Sequence, residues 1–279
     1  MEREKPPDRV GFEDFSPGWQ IFSPRESLKL YYTAARTLDP KLELWALKVD
    51  LTDPLLRIVV SSGENGKIPS ARVSSFVRNN NCIAGINTVP FDRISAKEGE
   101  ERNCAGIVVS GGIPVSPPVP GYDALVFYKA GHAAILPQSE ITALDTVENA
   151  LGAFHAVLVN GELPERLLSA GEGTQDRAPP RHPRSAAGLS SDGRTLYLLV
   201  IDGRRPGSAG ATEAETGLLL KKLGAVSGLN FDGGGSSALA LRFPDGKVRT
   251  VNTPIHGGIP HRERAVAACL GIQQILIYR

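Results

Sequence analysis

Four short segments carry residue types that could grip or cleave an anion. The first is Asn230-Phe231-Asp232-Gly233-Gly234-Gly235-Ser236-Ser237, in which an apolar strand delivers one carboxylate, then three glycines, then two hydroxyls. Consecutive glycines weaken a chain through backbone entropy, so they need a local reason. Either two backbones approach closely at a bend, or the exposed amides form an anion-binding concavity beside Asp232. No Gly-Lys-Ser/Thr follows, so this is not a Walker loop. The second segment, Arg181-His182-Pro183-Arg184, sets two arginines and a histidine at the start of an apolar run. Arginine binds planar oxyanions through two parallel hydrogen bonds, so Arg184 is a credible phosphate or carboxylate clamp; the alternative is a solvated surface charge.

The third segment runs from Asp202 through the glycine-rich stretch Gly203-Arg204-Arg205-Pro206-Gly207 to Thr212. Thr212 and Glu215 have the spacing of a helix capping box. That gives Glu215 a structural task, although an acid at a helix N-terminus can also face a site. The fourth holds His256 and His261, then Glu263 and Arg264. The two histidines lack a carboxylate-rich or cysteine partner at metal-ligand spacing. H-E-x-x-H, G-x-S-x-G and EF-hand patterns are all missing. The sequence therefore specifies no metal or cofactor.

The elements that must hold these residues read mostly as strands. Alternating apolar residues predict a half-buried strand at 41–49 and a second at 55–62, joined by a turn at Asp53-Pro54. Val73, Phe76 and Val77 predict a helix over 70–80 with Ser70 as N-cap. Strands are expected at 82–86, 153–159 and 263–272. Hairpins are expected around Gly111-Gly112, Ala130-Gly131, Ser191-Asp192-Gly193 and Pro244-Asp245-Gly246. A helix is predicted at 212–224. Residues 161–183 are polar and rich in Gly and Pro, long for a plain connector. With few helices between strands, the expected class is α+β: a mixed, mainly antiparallel β-sheet with a few packed helices. Residues 1–20 read as an arm and 21–279 as a single domain.

Composition limits the functions available. The 279 residues include 31 basic and 30 acidic side chains, a net charge of +1. No bulk field invites nucleic acid or an anionic membrane surface. No run of 18 apolar residues exists, so no transmembrane segment is expected. Three cysteines, Cys82, Cys104 and Cys269, form no disulfide framework and no C-x-x-C pair. Cys82 and Cys269 sit in apolar runs and read as buried small hydrophobes.

Taken together and in order, PRSAAG (183–188), LLVIDGR (198–204), GATEAE (210–215), LGA (223–225), NFDGGGSSAL (230–239), VNTP (251–254) and ER (263–264) resemble the phosphodiester glycosidase family. The likeness is dense over 176–279 and thinner over 80–160. Where the family usually has an Asn-Gly-Gly-aromatic-Phe turn, this chain has Asn87-Thr88-Val89-Pro90-Phe91, so that wall follows a different path. The resemblance implies a hydrolase of sugar-1-phosphodiesters, with a sugar-phosphodiester or polysaccharide as its partner. It also implies an extracytoplasmic setting, in cell-envelope or exopolysaccharide metabolism. In that setting Arg184 and the amides of Gly233, Gly234 and Gly235 would hold the phosphate. Asp232 or Glu215 would act as nucleophile or base, and Asp202 would orient Arg184 or the base. Ser236, Ser237 and Asn87 would hydrogen-bond the ligand. Glu263 would support the site through Arg264 or Arg184.

Overall fold

The structure, a computed structural model, describes residues 20–35, 41–168 and 179–275. The expected N-terminal arm and part of the 161–183 segment lie outside them. In chain order the strands are β1 (Gln20–Arg25), β2 (Leu28–Ala35), β3 (Leu42–Asp50), β4 (Leu56–Val60) and β5 (Lys67–Pro69), followed by helix α1 (Val73–Asn79). Next come β6 (Cys82–Asn87), β7 (Glu101–Asn103), β8 (Val108–Ser110), β9 (Ile113–Ser116), β10 (Asp123–Tyr128), β11 (Ala133–Pro137), β12 (Val147–Gly152) and β13 (Ala156–Leu158). The chain continues through α2 (Glu165–Leu168), β14 (Arg184–Leu189), β15 (Thr195–Ile201), α3 (Glu213–Leu223), β16 (Ser227–Asn230), β17 (Leu239–Arg242), β18 (Val248–Thr250) and β19 (Cys269–Gln274).

A seven-stranded sheet runs β1-β2-β3-β15-β14-β16-β13, and two five-stranded sheets run β11-β10-β12-β8-β9 and β18-β17-β6-β19-β4. Strands β5 and β7 form a separate pair. Each ladder between these strands is antiparallel, which establishes the expected α+β class. The four expected hairpins form, with Gly111, Gly112, Gly131, Gly193 and Gly246 at positive φ.

One face of the large sheet contributes Leu47, Leu198, Leu229 and Phe231 to the main core, where they meet Ile86, Leu239, Leu270, Leu125 and Leu151 from the smaller sheets. The other face packs Ala186, Leu199 and Val157 under Leu219 and Leu220 of α3. Strand β14 is consequently buried along its whole length rather than alternately. That double coverage makes it a rigid base for whatever its first residue, Arg184, does.

Some boundaries differ from the sequence reading. Helix α1 starts at Val73, with Arg72 as N-cap. Ser70 instead donates its hydroxyl to the Lys97 carbonyl (3.3 Å). The expected strand at 153–159 is reduced to β13, because Ala153–His155 turn out of the sheet after β12. The last strand starts at Cys269, not 263, since Glu263–Ala268 is held by isolated bridges Ala71↔Val266 and Ser95↔Ala265. Cys82 and Cys269 are buried as expected, and all three thiols are free. Burial pushes the Cys82 and Cys104 thiols up to about 12, which makes them inert at neutral pH.

Candidate active site

The site forms where the start of β14, the end of β16 and the N-terminus of α3 are stitched together by backbone hydrogen bonds. His182 and Ala211 exchange amide bonds of 3.2 and 3.0 Å, which ties the entry to β14 to the entry to α3. The Phe231 amide donates to Ser185 O and the Gly234 amide to Pro183 O, both at 2.8 Å. These bonds wrap the glycine turn around the start of β14. The turn continues as a short 3-10 segment over Gly234–Ser236, which Gly234 enters at φ 61°, a conformation that favours glycine.

The cavity enclosed here has a volume of about 340 Å³. Arg184, Arg204, Arg264 and His182 bring positive or potentially positive groups to its wall, and Glu213 brings a carboxylate. Phe154 and Ile94 supply apolar surface, and Asn230 and the three glycines complete the lining. A Cβ on Gly235 would lie 2.5 Å from the Arg264 guanidinium, and one on Gly234 would lie 3.1 Å from that of Arg204. Bare backbone is what lets the two arginines lie against this turn. The close-approach reading of the glycine triplet applies: a Cβ on Gly233 would lie 2.8 Å from the Pro183 carbonyl oxygen, and the two arginines lie against its neighbours.

Each cation is oriented. Arg184 is 8% exposed, donates from Nε to Ala211 O at 3.0 Å and stands 3.8 Å from Glu213. Arg204 donates to His182 Nδ1 at 3.1 Å. Arg264 donates to Ser236 Oγ at 3.0 Å and to His256 Nδ1 at 3.3 Å. Burial, and secondarily the charge of Arg204, pulls the pKa of Arg184 and Arg264 down, against the opposite pull of Glu213 on one and Asp232 on the other. Mutual repulsion among guanidiniums is unfavourable and is relieved when an anion binds among them. Burial and the neighbouring arginines also lower the pKa of His182 and of His256, so both rings are neutral near pH 7, with Nδ1 as acceptor.

Asp232 sits immediately behind this wall. Ser236 Oγ donates to its Oδ2 at 2.5 Å, so Ser236 links Asp232 to Arg264. Burial raises the Asp232 pKa, while Ser236, Arg264 and the Gly233 amide oppose the rise. The Asp232 main chain is fixed by Asn87, whose Nδ2 donates to its carbonyl at 2.6 Å. Asn87 Oδ1 accepts from Ser185 Oγ (2.7 Å) and from the Ala238 amide (3.1 Å).

Several sequence expectations are relocated. Asn87 is fully buried and serves as a strut between β6, β14 and the glycine turn. Its divergent successors pack inward: Thr88 bonds to Ala268 O and Val89 is 1% exposed, so this turn does not line the cavity. Asp202 does not orient Arg184. It binds Arg205, Asn252 Nδ2 (3.1 Å) and the Thr253 amide (3.1 Å). Glu215 completes the capping box with Thr212, at 2.9 and 3.1 Å, and pairs with Arg181. Glu263 does not bind Arg264 or Arg184: its carboxylate accepts from Ser74 N (3.0 Å) and Ser74 Oγ (2.5 Å), which caps α1. Ser237 is buried and does not line the cavity, and the Gly234 amide is already committed to Pro183.

Sequence reasoning missed Glu213, Arg204 and Asn230 as cavity residues. Glu213 follows the N-cap threonine directly, and the first helical position points its side chain back past the helix end. That signal was present, but the capping logic of Glu215 overshadowed it. Among the described residues, no group of three or more His, Cys, Asp or Glu side chains could hold a metal ion.

An antiparallel α+β scaffold here presents three oriented arginines and an acid in one cavity, an arrangement whose chemistry suits an anion. The chain belongs to the phosphodiester glycosidase family, whose profile matches residues 80–273. Its fold is that of the zebrafish N-acetylglucosamine-1-phosphodiester alpha-N-acetylglucosaminidase catalytic domain, auto-inhibited by pro-peptide: TM-score 0.65, 19% identity, 91% of this chain and 86% of that one covered. A hypothetical protein from Synechocystis aligns with TM-score 0.61 and 16% identity over 89% of this chain and 62% of that chain. An SPbeta prophage-derived uncharacterized protein of Bacillus subtilis (strain 168) is 33% identical over 124 residues, 43% of this chain. The chain matches 19% of the length of that relative.

Proposed function

We propose that this protein hydrolyses the glycosidic bond of a sugar-1-phosphodiester. The observation that carries the reading is the convergence of Arg184, Arg204 and Arg264 with Glu213 in one cavity. A phosphodiester is a monoanion of spread charge, which guanidinium forks bind well. The anomeric carbon gains positive charge as its bond to the phosphate oxygen breaks, and a nearby carboxylate stabilises that charge or activates water. Glu213 is assigned that role, as the acid in the cavity wall. The leaving phosphomonoester has a second pKa of about 6, so it departs with little protonation. Asp232 is assigned to Arg264, which it holds through Ser236. The acetylglucosaminidase named among the relatives acts on a diester of this kind, which supports the substrate class. A setting in cell-envelope or exopolysaccharide metabolism belongs to the proposal as well, and rests on the family resemblance alone.

Hydrolysis of α-N-acetylglucosaminyl methyl phosphate in oxygen-18 water tests the reaction. Label in the sugar is expected. Label in the phosphate would mean cleavage of the P–O bond and a phosphodiesterase, and no turnover would leave a binding module.

The pH profile tests the role of Asp232. Its carboxyl must be ionised to hold Arg264 through Ser236, and burial raises its pKa. Protonation therefore begins above the ordinary aspartate value, and kcat/KM should fall as pH drops through that raised pKa. In Asp232→Asn the rate should be lower throughout and the acid limb should move to lower pH. A limb at the wild-type position in the variant would assign it to another group.

A further inference from the structure

Asn230 is 3% exposed, lines the cavity, and has a buried Oδ1 without a hydrogen-bond partner among the described residues. Buried amide groups are satisfied in the great majority of cases, so this orphan needs a reason. Its place in the sheet supplies one. Asn230 pairs directly with Ala186 across β16 and β14, so its side chain shares a face with Ala186 and, two residues earlier, Arg184. Phe231, which follows it, points to the opposite face and joins the main core. A side chain of this polarity has ordinary neighbours on that face only in the cavity. The packing under α3 there is otherwise apolar, with Ala186, Ala211 and Leu220.

The geometry points to Asn230 as the residue that recognises the sugar of the substrate, through hydroxyl or acetamido groups. A carboxamide offers one acceptor and two donors. A phosphodiester oxygen carries no proton and cannot satisfy an orphaned acceptor, whereas a sugar hydroxyl or an acetamido N–H can. The arginines already supply donors in excess for the phosphate. Asn230 is the lining residue whose unmet requirement is for a neutral donor, so it distinguishes a sugar phosphate from any other phosphate ester.

This inference rests on the sugar-phosphodiester reading, and the experiment separates the two. Calorimetry on the full chain would use N-acetylglucosamine-1-phosphate, glucose-1-phosphate and methyl phosphate, with wild type, Asn230→Ala and Asn230→Leu. The wild type should bind at least one sugar phosphate more tightly than methyl phosphate. Both variants should bind that sugar phosphate roughly five- to tenfold more weakly, as expected for one or two lost hydrogen bonds, and bind methyl phosphate unchanged. Their melting temperatures should stay close to that of wild type, which shows that both fold; Asn230→Leu keeps the volume if Asn230→Ala leaves a destabilising void. Equal weakening toward methyl phosphate would place Asn230 on the phosphate and overturn the inference while the proposed function stands. Unchanged affinity for every probe would also overturn it. A wild type that prefers no sugar phosphate over methyl phosphate would overturn the sugar reading itself, and the inference with it.

Discussion

Glu213→Gln is expected to lower kcat on a sugar-1-phosphodiester by about 10²- to 10⁴-fold, the usual range for a positioned catalytic carboxyl, while KM stays the same or falls. The split follows from the surroundings of Glu213. One oxygen meets Arg166 at 2.8 Å and the other faces Arg184 at 3.8 Å. Glutamine keeps the size and the oxygen toward Arg166, so the N-terminus of α3 should hold, losing about 0.3–1 kcal/mol of favourable dipole interaction. What would disappear is the full negative charge that the proposed reaction sets beside the anomeric carbon. The same change leaves Arg184 less neutralised, so the phosphate is held at least as firmly. Steady-state kinetics measure both constants. An unchanged kcat with altered KM would reduce Glu213 to a counter-charge and return the reacting carboxylate to Asp232.

The sequence made the scaffold of this site readable wherever local chemistry was unambiguous. Asp-Gly and Gly-Gly turns demand positive φ, so hairpins such as β14–β15 and β17–β18 were legible from the residues at their tips. The Thr212–Glu215 capping box was legible for the same reason, because both partners lie within one turn. Strand β12 and the β1–β2 hairpin were not. In β2, Leu28 and Leu30 alternate, but Tyr31, Tyr32 and Thr33 break the pattern, and what fixes the strand is its register against β3. The division of labour among the acids was illegible on similar grounds. Asp202, Glu215, Glu263 and Asp232 are all acids near a turn or helix start. Their partners, Asn252, Arg181, Ser74 and Arg264, are set by tertiary contacts across 32 to 189 positions. Of the cavity arginines only Arg184 was legible as an anion clamp, from its place at the start of an apolar run; Arg204 and Arg264 reach the bare backbone of the glycine turn from other segments. Which arginines fill that space only the packing reveals.

Asp202→Ala should destabilise the fold by about 3–5 kcal/mol, the range for removing one partner of a buried ion pair, and lower the melting temperature by on the order of 10 °C. The carboxylate is 1% exposed and ties three segments together. Arg205 reaches it from the next loop at 3.0 Å, and Asn252 and Thr253 bind it from the chain after β18 at 3.1 Å. Alanine would strand the Asn252 and Thr253 donors and leave Arg205 with Glu43 alone. Asp202→Asn keeps an acceptor for those donors and should cost about 1–2 kcal/mol. The pH dependence separates charge from shape. Burial raises the Asp202 pKa despite Arg205 and Asn252. The native state therefore holds this proton at pH values where the unfolded chain has released it. Stability contributed by this group is full below the ordinary aspartate pKa and declines as pH rises to the raised one. Asp202→Asn removes that decline, so urea melts across the acid range should show a flatter dependence than wild type. Equal slopes would show that Asp202 is not the group responsible. Because the 203–211 loop carries Arg204 to the cavity, the alanine variant should also bind methyl phosphate more weakly at temperatures where it remains folded, through loss of Arg204 positioning.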